Sequence, residues 1–282
     1  MIETDRTATP DTVAARARFA KELAVRAGAL ARSYFLRRSE LDIETKRTAH
    51  DLVSEADREV ERTIRAAIAE RYPNDALVGE EDGRTPGTSG YTWIIDPIDG
   101  TAPFLAGMPG WCVSIGLVDG QGPLVGAIEV PMLSETYLAA RGQGATLNDR
   151  PIRVAGAQTL ADGLVGIGAN DRISNQSFGT FLAAFGDAGG AWVRYGSGAL
   201  MLAWVAAGRL IAYLEPRMNV WDCIAAHCLI EEAGGRVRPF DLGEGIMTPA
   251  PVLGTSPGVF DALHTIGRLD DDAFWVPHAT RG

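Results

Sequence analysis

The stretch Thr92-Trp93-Ile94-Ile95-Asp96-Pro97-Ile98-Asp99-Gly100-Thr101 carries the densest chemistry in the sequence. An apolar run ends in two aspartates, and a glycine and a threonine follow. Carboxylates at a strand end can converge on a hard divalent cation such as Mg²⁺, which takes oxygen ligands in near-octahedral geometry. Pro97 stiffens the turn between them. Gly100 lets the backbone approach an anion, and the N–H groups of Gly100 and Thr101 can cradle a phosphate at a helix start. Taken alone, the segment also reads as an ordinary Asp/Pro/Gly turn. It does not read as a calcium EF-hand, whose alternating Asp/Asn positions and closing Glu are missing.

Three further acidic segments accompany it. Val78-Gly79-Glu80-Glu81-Asp82 places adjacent carboxylates after a strand-like run, where a solvated turn is the plain alternative. Asp51-Leu52-Val53-Ser54-Glu55-Ala56-Asp57 puts acids at a helix start, where capping is the alternative. Trp221-Asp222-Cys223-Ile224-Ala225-Ala226 opens an apolar helix with one acid in its first turn, where a favourable charge on the helix dipole would suffice. Cys223 is no phosphatase nucleophile, because Ile224-Ala225-Ala226 follows it in place of an anion-binding loop.

Helices and strands must hold these acids in place. Apolar periodicity predicts a helix over 12–37, and a polar loop spans 46–49. Ser54 or Asp57 caps a helix to about 70, which Tyr72-Pro73-Asn74-Asp75 stops. Strand-like runs follow at 77–79, 92–95, 112–118, 124–130 and 136–139, with turns at Asp119-Gly120 and Asn148-Asp149. The second half reads as a strand at 164–167, helices over 175–185 and 198–207, and a strand at 210–214. A helix over 220–233 closes on Gly234-Gly235, a strand lies at 252–254, and Pro257 opens a last helix to about 266. The mixture is α+β or α/β, without the βαβ rhythm of a doubly wound sheet.

Length and charge narrow the function. With 282 residues, 46% of them hydrophobic and 22% charged, the chain makes one large domain or two tightly packed halves. A net charge of −10 repels phosphate backbones, so nucleic acid is an unexpected partner. An acidic enzyme acting on an anionic phosphate needs a local positive centre, which four histidines do not supply and metal ions do. Three cysteines in apolar stretches fit reduced cytoplasmic thiols, and no zinc-ligand spacing occurs. No apolar run of about 18 residues and no signal-peptide pattern is present, so a cytoplasmic protein without membrane attachment is expected.

The four acidic segments, in this order, resemble the inositol monophosphatase family. Its marks are a strand-end D-P-[IL]-D-G-[ST] motif and a later W-D-x-[AG]-[AG] motif, preceded by G-E-E and D-L-V-[ST]-x-x-D. The resemblance runs from about residue 14 to 266. It implies a layered αβαβα sandwich of the inositol monophosphatase and fructose-1,6-bisphosphatase type. An N-terminal α+β half over 1–150 would carry most metal ligands, and a C-terminal α/β half over 151–282 would carry Asp222 and the substrate-side loop. Two or three Mg²⁺ ions per site are implied. Glu80, Asp96 and the carbonyl of Ile98 hold the first, Asp96, Asp99 and Asp222 the second, and Glu80 helps retain a weaker third. Gly100 and Thr101 bind phosphate, Asp57 hydrogen-bonds Thr101, and Lys46 belongs to a mobile loop. Glu215 grips substrate hydroxyls, and Gly196, Ser197 and Gly198 line the substrate side.

The implied activity is Mg²⁺-dependent hydrolysis of a small phosphate monoester by direct in-line attack of water, which Glu80 and the Thr101–Asp57 pair orient. Inositol 1-monophosphate is the default substrate because Glu215 is present; L-histidinol phosphate is the enzymatic alternative. A non-catalytic role in a transcription complex is the rival from another class. Homodimerisation and lithium inhibition are also implied. The chain departs from the family in reading Ala102-Pro103 before Phe104, where relatives often carry asparagine next to the phenylalanine. It also departs at Trp221-Asp222-Cys223-Ile224-Ala225-Ala226, whose small pair sits one residue late. Arg217 reads as a solvated charge or as a partner for a second anionic group.

Overall fold

The computed structural model describes residues 10–40, 43–45 and 52–277. Helix α1 (Pro10–Phe35) comes first, followed by the antiparallel pair β1 (Ile43–Thr45) and β2 (Leu52–Ser54) and by helix α2 (Glu55–Arg71). Then come β3 (Ala76–Gly79), β4 (Gly83–Thr85), β5 (Thr92–Asp99) and the short helix α3 (Thr101–Leu105). A meander of β6 (Cys112–Asp119), β7 (Gly122–Val130), β8 (Glu135–Ala140), β9 (Gly144–Leu147) and β10 (Arg150–Pro151) completes an eight-stranded sheet. Its order is β10-β9-β8-β7-β6-β5-β3-β4, antiparallel except where β3 runs parallel to β5.

The remaining chain supplies β11 (Leu164–Ile167), α4 (Asn175–Asp187), β12 (Ala191–Val193), α5 (Gly198–Ala206) and β13 (Ala212–Met218). It ends with α6 (Ile224–Glu232), β14 (Arg236–Val237), β15 (Ala250–Thr255), α7 (Phe260–Ile266) and α8 (Asp272–Trp275). The second sheet has the order β12-β11-β13-β15-β14, parallel around β11 and antiparallel around β15.

Successive strand residues face opposite sides of a sheet, and that alternation builds the layers. Trp93 and Ile95 of β5 pack with Leu23 and Ala27 of α1 and Ile64 of α2. Ile94 faces the other way, into a core with Leu200 of α5 and Leu229 of α6. Tyr213 and Val252 of the second sheet enter that same core from beyond the helices. Leu214 and Leu253 point outward to Phe181 and Phe185 of α4, Leu263 of α7 and Trp275 of α8. The fold is therefore an αβαβα sandwich with two mixed sheets. Helices α5 and α6 lie between two sheets, which is why their sequences are apolar almost all round. None of the described helices is long and apolar enough to cross a membrane.

Two elements differ from expectation in ways that matter to the site. The helix predicted over 220–233 begins only at Ile224, because Val220 to Cys223 form a turn closed by Cys223 N and Ile224 N on the Val220 carbonyl. Asp222 thus projects from that turn and not from the first helical turn. The strand predicted at 210–214 runs instead from Ala212 to Met218, so Glu215 sits within β13.

Candidate active site

Register places the first two acids. Parallel pairing sets Gly79 of β3 opposite Ile95 of β5, so the next residues, Glu80 and Asp96, follow side by side where that pairing ends. The pairing of β5 with β6 then breaks between Asp96 and Asp99, where Pro97 offers no N–H to the ladder. Asp96 Oδ1 accepts the Ile98 N–H at 2.9 Å, which fixes the carboxylate across that break. From the other half, Asp222 is held by Asn219, whose backbone N–H and side-chain Nδ2 donate to Oδ2 at 3.2 and 3.3 Å.

Glu80, Asp96 and Asp222 converge, with one carboxylate oxygen of each lying within 4.8 Å of the others. Burial pushes Asp96 and Asp222 well above the usual carboxylate range, and the charge of Glu80 pushes them further. Clustered carboxylate oxygens whose ionisation is disfavoured by burial and mutual repulsion are the donor set of a hard, oxygen-preferring divalent cation. The residues present fit Mg²⁺.

Asp99 is placed differently. Its carboxylate receives the Ser197 hydroxyl and the Ala199 N–H (2.7 Å) on Oδ2, and the Gly198 N–H (3.3 Å) on Oδ1. The acid therefore sits on the first turn of α5, where the dipole and free N–H groups favour a negative charge. Burial still raises its pKa, with those donors acting in the opposite direction. The structure brings Glu80, Asp96 and Asp222 together as one cluster and joins Asp99 to Ser197 and the first turn of α5.

Thr101, the first residue of α3, donates its hydroxyl within 3.2 Å of both Asp57 Oδ1 and the Ile98 carbonyl. Asp57 is buried beneath it. Gly100 turns the chain into α3 at φ 93°, a backbone angle that side chains disfavour, and a Cβ there would lie 3.0 Å from Ser197 Cβ. Across the cleft Glu215 accepts the Tyr213 hydroxyl at 2.5 Å and Asn170 Nδ2 at 2.9 Å. Burial raises its pKa and those two bonds hold it down. Gly168 leaves room for the acid, since a Cβ would collide with Glu215 Oε2 and the Tyr213 hydroxyl.

These groups line one cleft of about 780 Å³. It brings together Glu80, Asp96, Ile98, Asp99, Gly100, Thr101, Gly196, Ser197, Gly198, Glu215 and Asp222 from the sequence reading. Asp57 reaches it through Thr101. Lys46 lies outside the described residues. Arg217 is neither a solvated charge nor a cleft residue: its guanidinium grips Asp272 at 2.5 and 2.6 Å. Asn170, Arg172, Arg194, Tyr213 and Asn219 also line the cleft or contact its acids, and the sequence reading missed them. Gly168, at the end of an apolar run, was a signal that something approaches closely there. The arginines gave none.

A two-sheet αβαβα sandwich with acids converging at strand ends defines a class of metal-dependent phosphomonoesterases. The profile of that class, the inositol monophosphatase family, matches residues 13–265, and the chain belongs to this family. Nus factor SuhB of Pseudomonas aeruginosa is 37% identical over 229 residues, covering 78% of this chain and 84% of that protein. The inositol-1-monophosphatase of Rhizobium meliloti is 41% identical over 191 residues, covering 66% and 71%. The crystal structure of the extragenic suppressor protein suhB from Bartonella henselae matches with a TM-score of 0.83 at 30% identity, covering 89% of this chain and 98% of that one.

Proposed function

We propose that the protein is a Mg²⁺-dependent phosphomonoesterase of small polar metabolites, with inositol 1-monophosphate as the first substrate. The observation that carries this reading is the convergence of Glu80, Asp96 and Asp222 beside the Asp57-bonded Thr101 in one cleft. Glu80, Asp96 and Asp222, with the Ile98 carbonyl, would hold metal. Asp99 would join them by exchanging its Ser197 and Ala199 donors for a cation. When bound, Mg²⁺ neutralises the phosphoryl and leaving-group oxygens and acidifies water.

The chain's own residues do the rest. Backbone N–H groups at Gly100 and Thr101 receive the phosphate at the start of α3. Asp57 fixes the Thr101 hydroxyl, and Thr101 and Glu80 orient the attacking water for in-line displacement. Glu215, locked by Tyr213 and Asn170, offers its remaining lone pairs to hydroxyls of the leaving group. No thiol competes as nucleophile: burial and neighbouring carboxylates push Cys112 and Cys223 well above the usual thiol range, so both stay protonated. The buried free thiols suit a cytoplasmic setting, and a homodimer inhibited by lithium follows from the resemblance.

Relatives named Nus factor SuhB favour a second reading, a non-catalytic partner of a transcription complex. The intact acid cluster supports catalysis over that alternative. The test is phosphate release with Mg²⁺ from inositol 1-phosphate and from histidinol phosphate, for wild type and Glu215→Gln. Release from inositol phosphate is expected. Loss of the carboxylate charge should cost a cationic leaving group about tenfold or more, the value of a charged hydrogen bond, and a neutral polyol less. No release from any phosphorylated metabolite, with co-purification on RNA polymerase, would favour the second reading.

A further inference from the structure

Two buried acids of helix α2 reach toward the cleft. Asp57 bonds Thr101 at the start of α3. Glu61, one turn further along, bonds the chain that carries Glu80, and the hydrolytic chemistry above makes no use of it. Its Oε2 accepts the Glu81 N–H and its Oε1 the Asp82 N–H, both at 2.9 Å. Those residues complete the turn Glu80-Glu81-Asp82 between β3 and β4.

Arg65, another turn along, donates Nε to Glu61 Oε1 at 2.7 Å, Nη2 to the Gly83 carbonyl at 2.6 Å and Nη1 to Thr85 Oγ1 at 3.2 Å. The carboxylate therefore holds the turn, and the guanidinium holds both the carboxylate and the start of β4. Gly79, the last residue of β3, makes the space for them: a Cβ there would collide with Glu61 Oε1 and Arg65 Nη2.

Spacing of four residues puts Asp57, Glu61 and Arg65 on one face of α2. A buried carboxylate that takes two backbone N–H groups and a guanidinium has its charge compensated, and such charge-assisted bonds are short and directional. The turn that bears Glu80 is thus pinned to a helix, and the same helix pins Thr101 through Asp57. Glu80 and Thr101 are the two groups assigned to orienting the attacking water.

We propose that Glu61 is a positioning residue for the hydrolytic reaction: through the Glu81 and Asp82 N–H groups it sets where Glu80 presents its carboxylate, and through α2 it fixes that point relative to Thr101. This rests on the phosphatase reading and extends it to a residue that touches neither substrate nor metal. Its loss acts on Mg²⁺ affinity, because Glu80 is a ligand, and on kcat, because the water loses its alignment. It leaves KM alone, because the phosphate and leaving-group contacts lie on other elements.

The test compares wild type with Glu61→Gln, which keeps the volume but turns an N–H group toward donors that need an acceptor. The control is Ile64→Ala, a truncation in the core between α2 and β5 that lowers the melting temperature without touching the turn. Melts in chelator measure stability, calorimetry measures Mg²⁺ binding, and phosphate release from inositol 1-phosphate at saturating Mg²⁺ separates kcat from KM. Glu61→Gln should raise the Mg²⁺ Kd about tenfold and lower kcat about tenfold with KM unchanged, since a misplacement of about 1 Å can cost about a hundredfold. Ile64→Ala should keep wild-type Mg²⁺ affinity and kcat. Arg65→Gln, which unties the Gly83 carbonyl, should shift both quantities in the same direction, and it is read by the same criteria if Glu61→Gln does not fold. A folded Glu61→Gln protein with wild-type Mg²⁺ affinity or wild-type kcat overturns the proposal, and so does an Ile64→Ala protein with the same two losses. Wild type that neither binds Mg²⁺ nor releases phosphate overturns the phosphatase reading itself, and the positioning role with it.

Discussion

Asp96 and Asp222 bring two negative charges into a buried space that Glu80 already occupies. Burial is the larger influence on both, and a hydrogen bond between them favours a protonated Asp96 and an ionised Asp222. Acids whose folded pKa lies above the unfolded value (~3.9 for Asp) weaken the fold as pH rises past that value, because the folded state then has to give up protons it holds more tightly. Metal-free Asp222→Asn should therefore melt higher than metal-free wild type at pH 8. The difference should shrink as pH falls toward the ordinary carboxylate range, at about 2–4 °C per kcal/mol for a chain of this size. Thermal melts in chelator across that pH range check this, and an Asn variant that melts lower at pH 8 would contradict it. At this scale the acids were legible, because Asp96, Asp99 and Asp222 sit in short local patterns. Asn170, Arg172 and Arg194 were not, because only the pairing of β11 with β13 brings the 168–172 loop up to Glu215.

The strands that deliver the chemistry share one device. In β5 the acid Asp96 precedes Pro97, and in β13 the acid Glu215 precedes Pro216; in each case the pairing slips at that point. A proline cannot donate to the ladder, so the strand is released just where a carboxylate must leave it. The periodicity reading stopped both strands short, at 95 and 214, because a polar residue followed by proline reads as a strand end. Gly168 at the end of β11 makes the matching space. Gly168→Ala should displace Glu215 and raise KM for inositol phosphate about tenfold, at a stability cost of about 1–3 kcal/mol for overpacking. Unchanged kinetics in a folded variant would show that Glu215 does not position substrate.

Helix α6 carries a separate pH signature. His227 is buried there with Nε2 unpaired, and burial pushes its pKa down to about 4. A histidine with a depressed folded pKa contributes its full stability above the unfolded value (~6.5), and loses it as pH falls toward the folded one, on the order of 3 kcal/mol in all. His227→Leu should flatten the acid side of the urea-midpoint profile between pH 7 and 4 relative to wild type. Parallel profiles for the two proteins would contradict this.

Across the whole molecule, the middle core is shared: Ile94 and Ile128 of the first sheet, Tyr213 and Val252 of the second, and α5 and α6 between them. The Asp99 carboxylate on the first turn of α5 joins the same two regions at the cleft. We propose that the halves 1–150 and 151–282 fold as one cooperative unit for that reason. The layer count came from family resemblance, since periodicity gave helices and strands but not which sheet each strand joins. Pairings such as β3 with β5, or β11 with β12 and β13, lie beyond local pattern.

The central claim is that the acids gathered at the strand ends hold the metal that makes this chain a phosphatase, and Asp96 is the buried centre of that cluster. The direct measurement is Mg²⁺ binding by calorimetry together with phosphate release, for wild type and Asp96→Asn, with circular dichroism showing both folded. The variant should lose measurable Mg²⁺ binding, and kcat/KM should fall about a thousandfold or more, equivalent to roughly 4 kcal/mol of transition-state stabilisation. A folded Asp96→Asn protein that binds Mg²⁺ and turns over inositol phosphate at near wild-type rates would contradict it.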